Sequence, residues 1–156
     1  MGEPYRCEWV AMEGGSHPKF GVHAGIDSGN KLYVARAHHE GAIVPGKLHI
    51  SHSHVYIPYN MEEVPVFSYE VLIAPPASLS WVPATGGDIP DDAVVGGQDT
   101  DGETYYIGRV ITSGTVTVGK VHASHGVCYV AYDGKELNFS EYEVLVRNVY
   151  GKFLNV

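Results

Sequence analysis

Cysteine is almost absent: Cys7 and Cys128 are the only two in 156 residues. Two thiols cannot supply the disulfide framework of a small secreted domain, and they fit a reduced cytosolic setting. Basic residues are also few. Ten Lys and Arg stand against 18 Asp and Glu, a net charge of −8 with histidine neutral. That balance argues against nucleic acid, whose phosphates need clustered cations, and against an anionic membrane surface. Uncharged ligands remain the natural partners. No apolar run approaches the roughly 18 residues of a membrane helix, so membrane insertion is not expected. The start, MGEPYRCEWVAMEGG, lacks the apolar stretch of a signal peptide, and Arg6 stands where a myristoylation motif needs Ser or Thr. The expected location is the cytoplasm, with release by an unconventional route as the alternative.

Catalytic motifs are missing as well. There is no G-x-S-x-G elbow, Walker A loop or H-E-x-x-H pair. The acidic pairs Glu62-Glu63 and Asp91-Asp92 read as solvated loop charges, and Cys128, in an apolar strand pattern, reads as an inert core thiol. No enzymatic activity, cofactor or metal is expected.

What the chain does contain is a duplication. Trp9-Val10 recurs 72 positions later as Trp81-Val82, and the same offset carries Gly14-Gly15 onto Gly86-Gly87, Gly25 onto Gly97 and Asp27 onto Asp99. One residue is then inserted within Thr100–Glu103. The offset of 73 holds for Arg36/Arg109, Lys47/Lys120, His49/His122, His52/His125, Tyr56/Tyr129, Tyr59/Tyr132 and Tyr69–Leu72/Tyr142–Leu145. The repeats are placed at 8–73 and 80–146. Between them, Ile73–Ser78 carries two prolines and reads as a stiff, extended connector. The segment 147–156 is apolar (Val149, Tyr150, Phe153, Leu154) and is expected to cover a sheet edge of its own subunit or a partner's.

The local pattern is β throughout. Segments 31–36, 104–109, 116–118, 127–132, 68–73 and 142–146 are short runs of aromatic and branched residues, punctuated by turn formers. Nineteen glycines would break helices repeatedly, and a short turn is expected near Asp91-Asp92-Ala93. The fold class is all-β: two tandem pseudo-symmetric repeats forming one compact antiparallel sheet or sandwich domain.

Asp27 and Lys47, with Asp99 and Lys120, are the first candidates for chemistry. In each copy the Asp lies in a Gly-flanked turn and the Lys follows a Gly. A carboxylate accepts from hydroxyls and an ammonium donates three hydrogen bonds, so the pair can clamp neighbouring hydroxyls of a sugar. The alternative is a turn Asp capping its own backbone and a surface Lys in a weak ion pair. His52 and His54 would share a face on a strand, beside His49. No Cys or carboxylate completes a zinc spacing, so structural roles are expected for these histidines. Trp9 and Trp81 read as core residues, with stacking on a sugar as the other option.

The series Trp9-Val10, Gly25-Ile26-Asp27, Tyr33–Gly41, Pro45–His52, Tyr56–Tyr59 and Tyr69–Leu72 resembles the DM-nine repeat family, over about residues 8–146. Its two-repeat members in bivalve molluscs are mannose-binding lectins of innate immunity. The resemblance implies an all-β homodimer that recognises mannose or mannosylated microbial glycans as a pattern-recognition protein. It implies a site of Asp27 and Lys47, with Asp99 and Lys120 as equivalents, and a contact from Glu40 to ligand or partner. The second copy has Ser113 in place of Glu40 and Val118 in place of Pro45, which sets its site further from the family pattern. The first copy has one residue fewer between its Asp and Lys, and Asn60-Met61 where the second has Asp133-Gly134, an atypical hairpin turn. A protein-interaction module on the same scaffold is the competing reading. A hydrolase or transferase is the third, without a supporting motif.

Overall fold

The computed structural model describes residues 4–148. The first repeat holds β1 (Glu8–Glu13), β2 (His23–Asp27), β3 (Asn30–His39), β4 (Ala42–His49), β5 (Val55–Tyr59), β6 (Glu62–Val66) and β7 (Ser68–Ile73). The second holds β8 (Leu79–Thr85), β9 (Val95–Gln98), β10 (Thr104–Thr112), β11 (Thr115–His122), β12 (Val127–Tyr132), β13 (Lys135–Phe139) and β14 (Glu141–Arg147). A single 3-10 turn, Ala123–His125, is the only helical element among the described residues. The chain is all-β, as its sequence implies, and every strand pair is antiparallel.

The repeats are interleaved rather than merely adjacent. β2 pairs with β3 of its own repeat and with β11 of the other, and β9 pairs with β10 and with β4. With the hairpins β3–β4 and β10–β11, these pairings close a ring in the order β3, β2, β11, β10, β9, β4. Closure removes the free edges that a short sheet would otherwise expose. Outside the ring, β7 and β1 extend from β3, while β14 and β8 extend from β10. β5–β6 and β12–β13 extend from β4 and β11 and meet through Lys135 and Glu62.

Alternation along the strands sorts side chains into three cores. On β3, Tyr33, Ala35 and Ala37 enter one cluster with Leu48, Ile57 and Val71, while Leu32 and Val34 enter another with Ile107, Val118 and Leu145 of the second repeat. The third cluster, around Val121, Cys128, Val130 and Val144, is the second repeat's counterpart of the first. The middle cluster belongs to both halves. Burial pushes the Cys128 thiol well up, which keeps it protonated and inert. Trp9 and Trp81 pack against the shared core, with the guanidinium carbons of Arg36 and Arg109 at 4.1 and 4.4 Å from their ring centroids. Each arginine also bonds a glutamate of its own repeat, Glu70 or Glu143, and donates to a backbone carbonyl of the other repeat, Gly96 or Ala24.

Three local expectations are corrected. The Pro75-Pro76 segment is a tight turn, closed by Ser78 N–H to the Pro75 carbonyl at 3.2 Å with Ala77 at φ 59°, not an extended connector. Proline at the second position and a positive φ at the third are the marks of a type II turn. The Asn60-Met61 hairpin is not atypical in shape: both residues take positive φ, like Asp133 and Gly134, so it keeps the two-residue type I′ form despite lacking glycine. His52 and His54 lie in the bend between β4 and β5 rather than on a strand. The turn expected near Asp91-Asp92 is present. The apolar tail from Val149 onward lies outside the described residues.

At the ring junctions, β2 and β9 approach the other repeat so closely that a Cβ on Gly25 would strike the Val116 carbonyl, and one on Gly97 the Ile43 carbonyl. Gly25→Ala or Gly97→Ala is therefore expected to cost about 2 kcal/mol or more in denaturant unfolding. Gly29→Ala, in an open turn with no neighbour within 4 Å, should cost only about 1 kcal/mol, from its positive φ. Met61→Gly relieves a left-handed side-chain residue and should raise stability by about 1 kcal/mol.

Candidate functional site

The turn before β3 and the inner half of β4 converge in the first repeat, and the equivalent segments converge in the second. Lys47 and Lys120 are 4% and 5% exposed, so neither is a surface lysine. A buried ammonium needs an anion and hydrogen-bond acceptors. Glu63 Oε2 lies 3.4 Å from Lys47 Nζ, and Glu136 Oε2 lies 3.1 Å from Lys120 Nζ. Lys47 also donates to the Ala131 carbonyl at 2.7 Å. Burial pushes the Lys120 amine down from its ordinary value, and Glu136 and Asp99 oppose that shift.

These glutamates do a second job. Glu136 Oε1 accepts from the backbone N–H of Met61 at 2.9 Å, and Glu63 Oε1 accepts from Gly134 N–H at 3.0 Å. Each carboxylate thus holds its own lysine with one oxygen and the opposite repeat's hairpin with the other. Sequence reading missed both, taking Glu62-Glu63 as solvated. Of that pair Glu62 is exposed and Glu63 half-buried. The available signal was their 73-residue spacing, shared with the lysines.

Two open cavities result. One, of about 490 Å³, is lined by Asp99, Tyr105, Lys120, His122, His125, Tyr129 and Glu136 of the second repeat and by Glu40, Tyr59, Asn60 and Met61 of the first. The other, of about 470 Å³, is lined by Asp27, Lys47, His49, His52, Tyr56 and Glu63 of the first repeat and by Tyr132 and Asp133 of the second. The structure thus brings Asp27 to Lys47 and Asp99 to Lys120. It sets Glu40 apart from Asp27 and Lys47, in the Asp99–Lys120 cavity. The glutamate that the second repeat lacks, with Ser113 at that position, is therefore missing from the Asp27–Lys47 cavity and not, as the sequence suggested, from the second copy's own site.

Histidine pairs form part of each wall. His49 stacks on His52 with centroids 4.1 Å apart, and His122 on His125 at 3.6 Å. The outer histidine of each pair bonds a tyrosine hydroxyl, Tyr56 at 3.1 Å or Tyr129 at 2.8 Å. The inner one faces the aspartate, with Nε2 3.7 Å from Asp27 or Asp99 Oδ2. The equal spacing shows that the extra residue before β10 is absorbed in the loop and does not displace the aspartate. His54 turns elsewhere, against Phe67 and Ser53, so the expected shared face with His52 does not form. No group of three or more His, Cys, Asp or Glu among the described residues is placed to hold a metal.

A family model for the DM9 repeat matches residues 1–66 and 29–139. The chain belongs to the DM9 repeat family. Among solved structures, the DM9 chain is similar to the nematode sperm cell motility protein MFP2B, with a TM-score of 0.66 at 14% identity. The match covers 96% of this chain and 49% of that one, so the chain spans about half the length of that protein. At this identity the likeness concerns the fold. A comparison with curated proteins gave no match.

Two stability predictions follow from this geometry. Glu136→Gln leaves a buried ammonium without its anion, and Lys120→Met leaves a comparably buried carboxylate without its cation, so each should cost about 3 kcal/mol or more in a denaturant titration. His49 has a pKa lowered from its ordinary 6.5, by burial first and then by the neighbouring His52 charge. The fold therefore favours neutral His49. Its stabilising contribution is present above the unfolded pKa and is lost as pH falls through the folded one. The unfolding midpoint should fall as pH drops below about 6.5, and His49→Asn should flatten that fall.

Proposed function

We propose that this DM9 protein is a carbohydrate-binding protein that holds mannose, or a terminal mannose of a glycan, in each of its two cavities without turnover. The observation that supports this reading most is the convergence, twice over, of an aspartate, a buried ammonium and tyrosine rings on an open cavity. Neighbouring hydroxyls of a hexose both donate and accept. The carboxylate takes the donors, and the ammonium fills the acceptors. Epimers place those hydroxyls differently, so the clamp discriminates through charge-assisted bonds. Aromatic edges and faces suit the apolar side of the ring. Cavities of this size fall in the usual range for small ligands, roughly 300–1,000 Å³.

A monosaccharide makes few contacts, and single-site affinity is expected on the order of micromolar to millimolar. Two cavities on one chain raise avidity on a mannosylated microbial surface, and a homodimer would raise it further. Recognition of such surfaces is the role in which weak, repeated sites are useful. The lysines supply the positive charge that other sugar sites draw from a cation.

The chain should be retained on a mannose column and released by free mannose, in the presence of chelator. Lys47→Met with Lys120→Met, or Asp27→Asn with Asp99→Asn, should abolish retention while circular dichroism stays unchanged. Retention that survives both double variants would overturn the clamp. A folded wild-type chain that ignores mannose, glucose and galactose alike would leave the protein-interaction reading in its place.

A further inference from the structure

Each cavity sets three carboxylates against one ammonium. In one they are Asp99, Glu136 and Glu40 with Lys120. In the other they are Asp27, Glu63 and Asp133 with Lys47. Two carboxylates of each set come from equivalent positions, and the third does not. Glu40 stands in the turn between β3 and β4, where the second repeat has Ser113. Asp133 stands in the turn between β12 and β13, where the first repeat has Asn60. Each of the two reaches the cavity that carries the opposite repeat's aspartate and lysine. Two separate differences between the copies thus arrive at the same charge in both sites.

The ammonium is already answered within each set. Lys47 Nζ lies 3.4 Å from Glu63 and Lys120 Nζ 3.1 Å from Glu136, so one carboxylate and the lysine offset each other. The surplus is Asp27 with Asp133, and Asp99 with Glu40. Asp27 and Asp99 face the imidazoles of His49 and His122, each at 3.7 Å. Burial first, and then the charge of His52, hold His49 below its ordinary value, so near neutral pH it does little to offset Asp27. His122 is closer to Glu103, at 3.2 Å, than to Asp99, so a proton on that ring is answered by a carboxylate outside the cavity lining. Glu40 is 65% exposed, with His39 Nε2 at 3.8 Å. A cleft with a surplus of one sign focuses its field in the opening and draws in the opposite charge. The walls also accommodate a cation. Lys120 Nζ stands 5.1 to 5.4 Å from the ring centroids of Tyr59, Tyr105 and Tyr129, and the face of such a ring attracts positive charge.

We propose that both cavities select hexoses by charge, preferring an aminohexose with a protonated amino group to the neutral sugar and rejecting the uronate. The inference rests on the carbohydrate-binding reading and narrows its ligand class. An ammonium in place of a hydroxyl offers three donors and no acceptor, which suits a carboxylate wall. It also turns a hydrogen bond charged on one side into one charged on both. The gain is on the order of five- to tenfold in Kd at low salt. A carboxylate carried by the sugar meets like charge in a partly enclosed site and loses affinity for the same reason.

The test is calorimetric titration of the full chain at neutral pH and low salt. The ligands are methyl α-mannoside, its 2-amino-2-deoxy and 6-amino-6-deoxy forms, the N-acetyl derivative of the former, and methyl α-mannuronate. At least one amino sugar should bind about five- to tenfold more tightly than methyl α-mannoside. The uronate should bind more weakly, and both differences should shrink in about 1 M salt. The N-acetyl sugar, which adds bulk without charge, should show no gain. Glu40→Gln combined with Asp133→Asn should bring the ratio of amino-sugar to neutral-sugar affinity toward one. That chain is expected to fold, because Asn60 already holds the turn equivalent to Asp133, at φ 50° against 53°. With methyl α-mannoside bound, three results would overturn the charge selection and leave the lectin reading intact. They are amino sugars that bind no better than the neutral one, a uronate or N-acetyl sugar that binds as well as the amino sugars, and a ratio untouched by the double variant. No binding of any of these sugars would overturn both.

Discussion

Each half of this molecule gives away a strand. β2 and β9 are short and glycine-bearing, and neither can be buried on both sides within its own repeat. Set between a strand of its own repeat and one of the other, each closes half of the ring. The shared core of Leu32, Val34, Ile107, Val118 and Leu145 exists only because of that exchange. A single repeat of about seventy residues would expose those side chains along with two sheet edges. The arginines reinforce the same junction by donating to carbonyls of the opposite repeat. The backbone of the whole structure is thus a mutual contact that neither copy can satisfy alone.

The cavities inherit this arrangement. Burying an ammonium is unfavourable unless an anion accompanies it, and here the anion is also the bracket that holds the opposite hairpin. Glu63 and Glu136 connect the charge problem of one repeat to the turn of the other. Tyr59, Asn60 and Met61, or Tyr132 and Asp133, reach the facing cavity because their hairpins are held there. The chemistry of each site depends on contacts across the pseudo-twofold, just as the ring does.

Much of this could be read in the sequence. Segments 31–36, 68–73, 104–109, 116–118, 127–132 and 142–146, rich in branched and aromatic residues, all fall within β3, β7, β10, β11, β12 and β14. The repeat register paired Asp27 with Lys47 and Asp99 with Lys120 as equivalent sets, and both pairs share a cavity. What escaped had no local signature. β2 and β9 read as HAGID and VGGQ, with little intrinsic strand preference, and are extended because strands flank them. The destination of Glu40 and the burial of Glu63 and Glu136 depend on pairings more than fifty residues apart in the chain. Alternation along one segment says nothing about which distant hairpin will face it. The histidine bend after β4 was misread because two residues of spacing imply a shared face only if the backbone is extended there.

A composite cavity also constrains how the duplicated gene can change. When each binding pocket sits wholly inside one copy, the second copy is free to drift toward a new specificity while the first retains the old. Here a substitution at Tyr59 or Met61 alters the pocket that carries the other copy's aspartate and lysine, and Tyr132 or Asp133 does the reverse. The two halves share an inheritance that neither can spend alone. Tyr105 and Leu32 hold equivalent places in the two copies, one lining a pocket and the other the common interior, so a change at the first is felt in the pocket of its own copy.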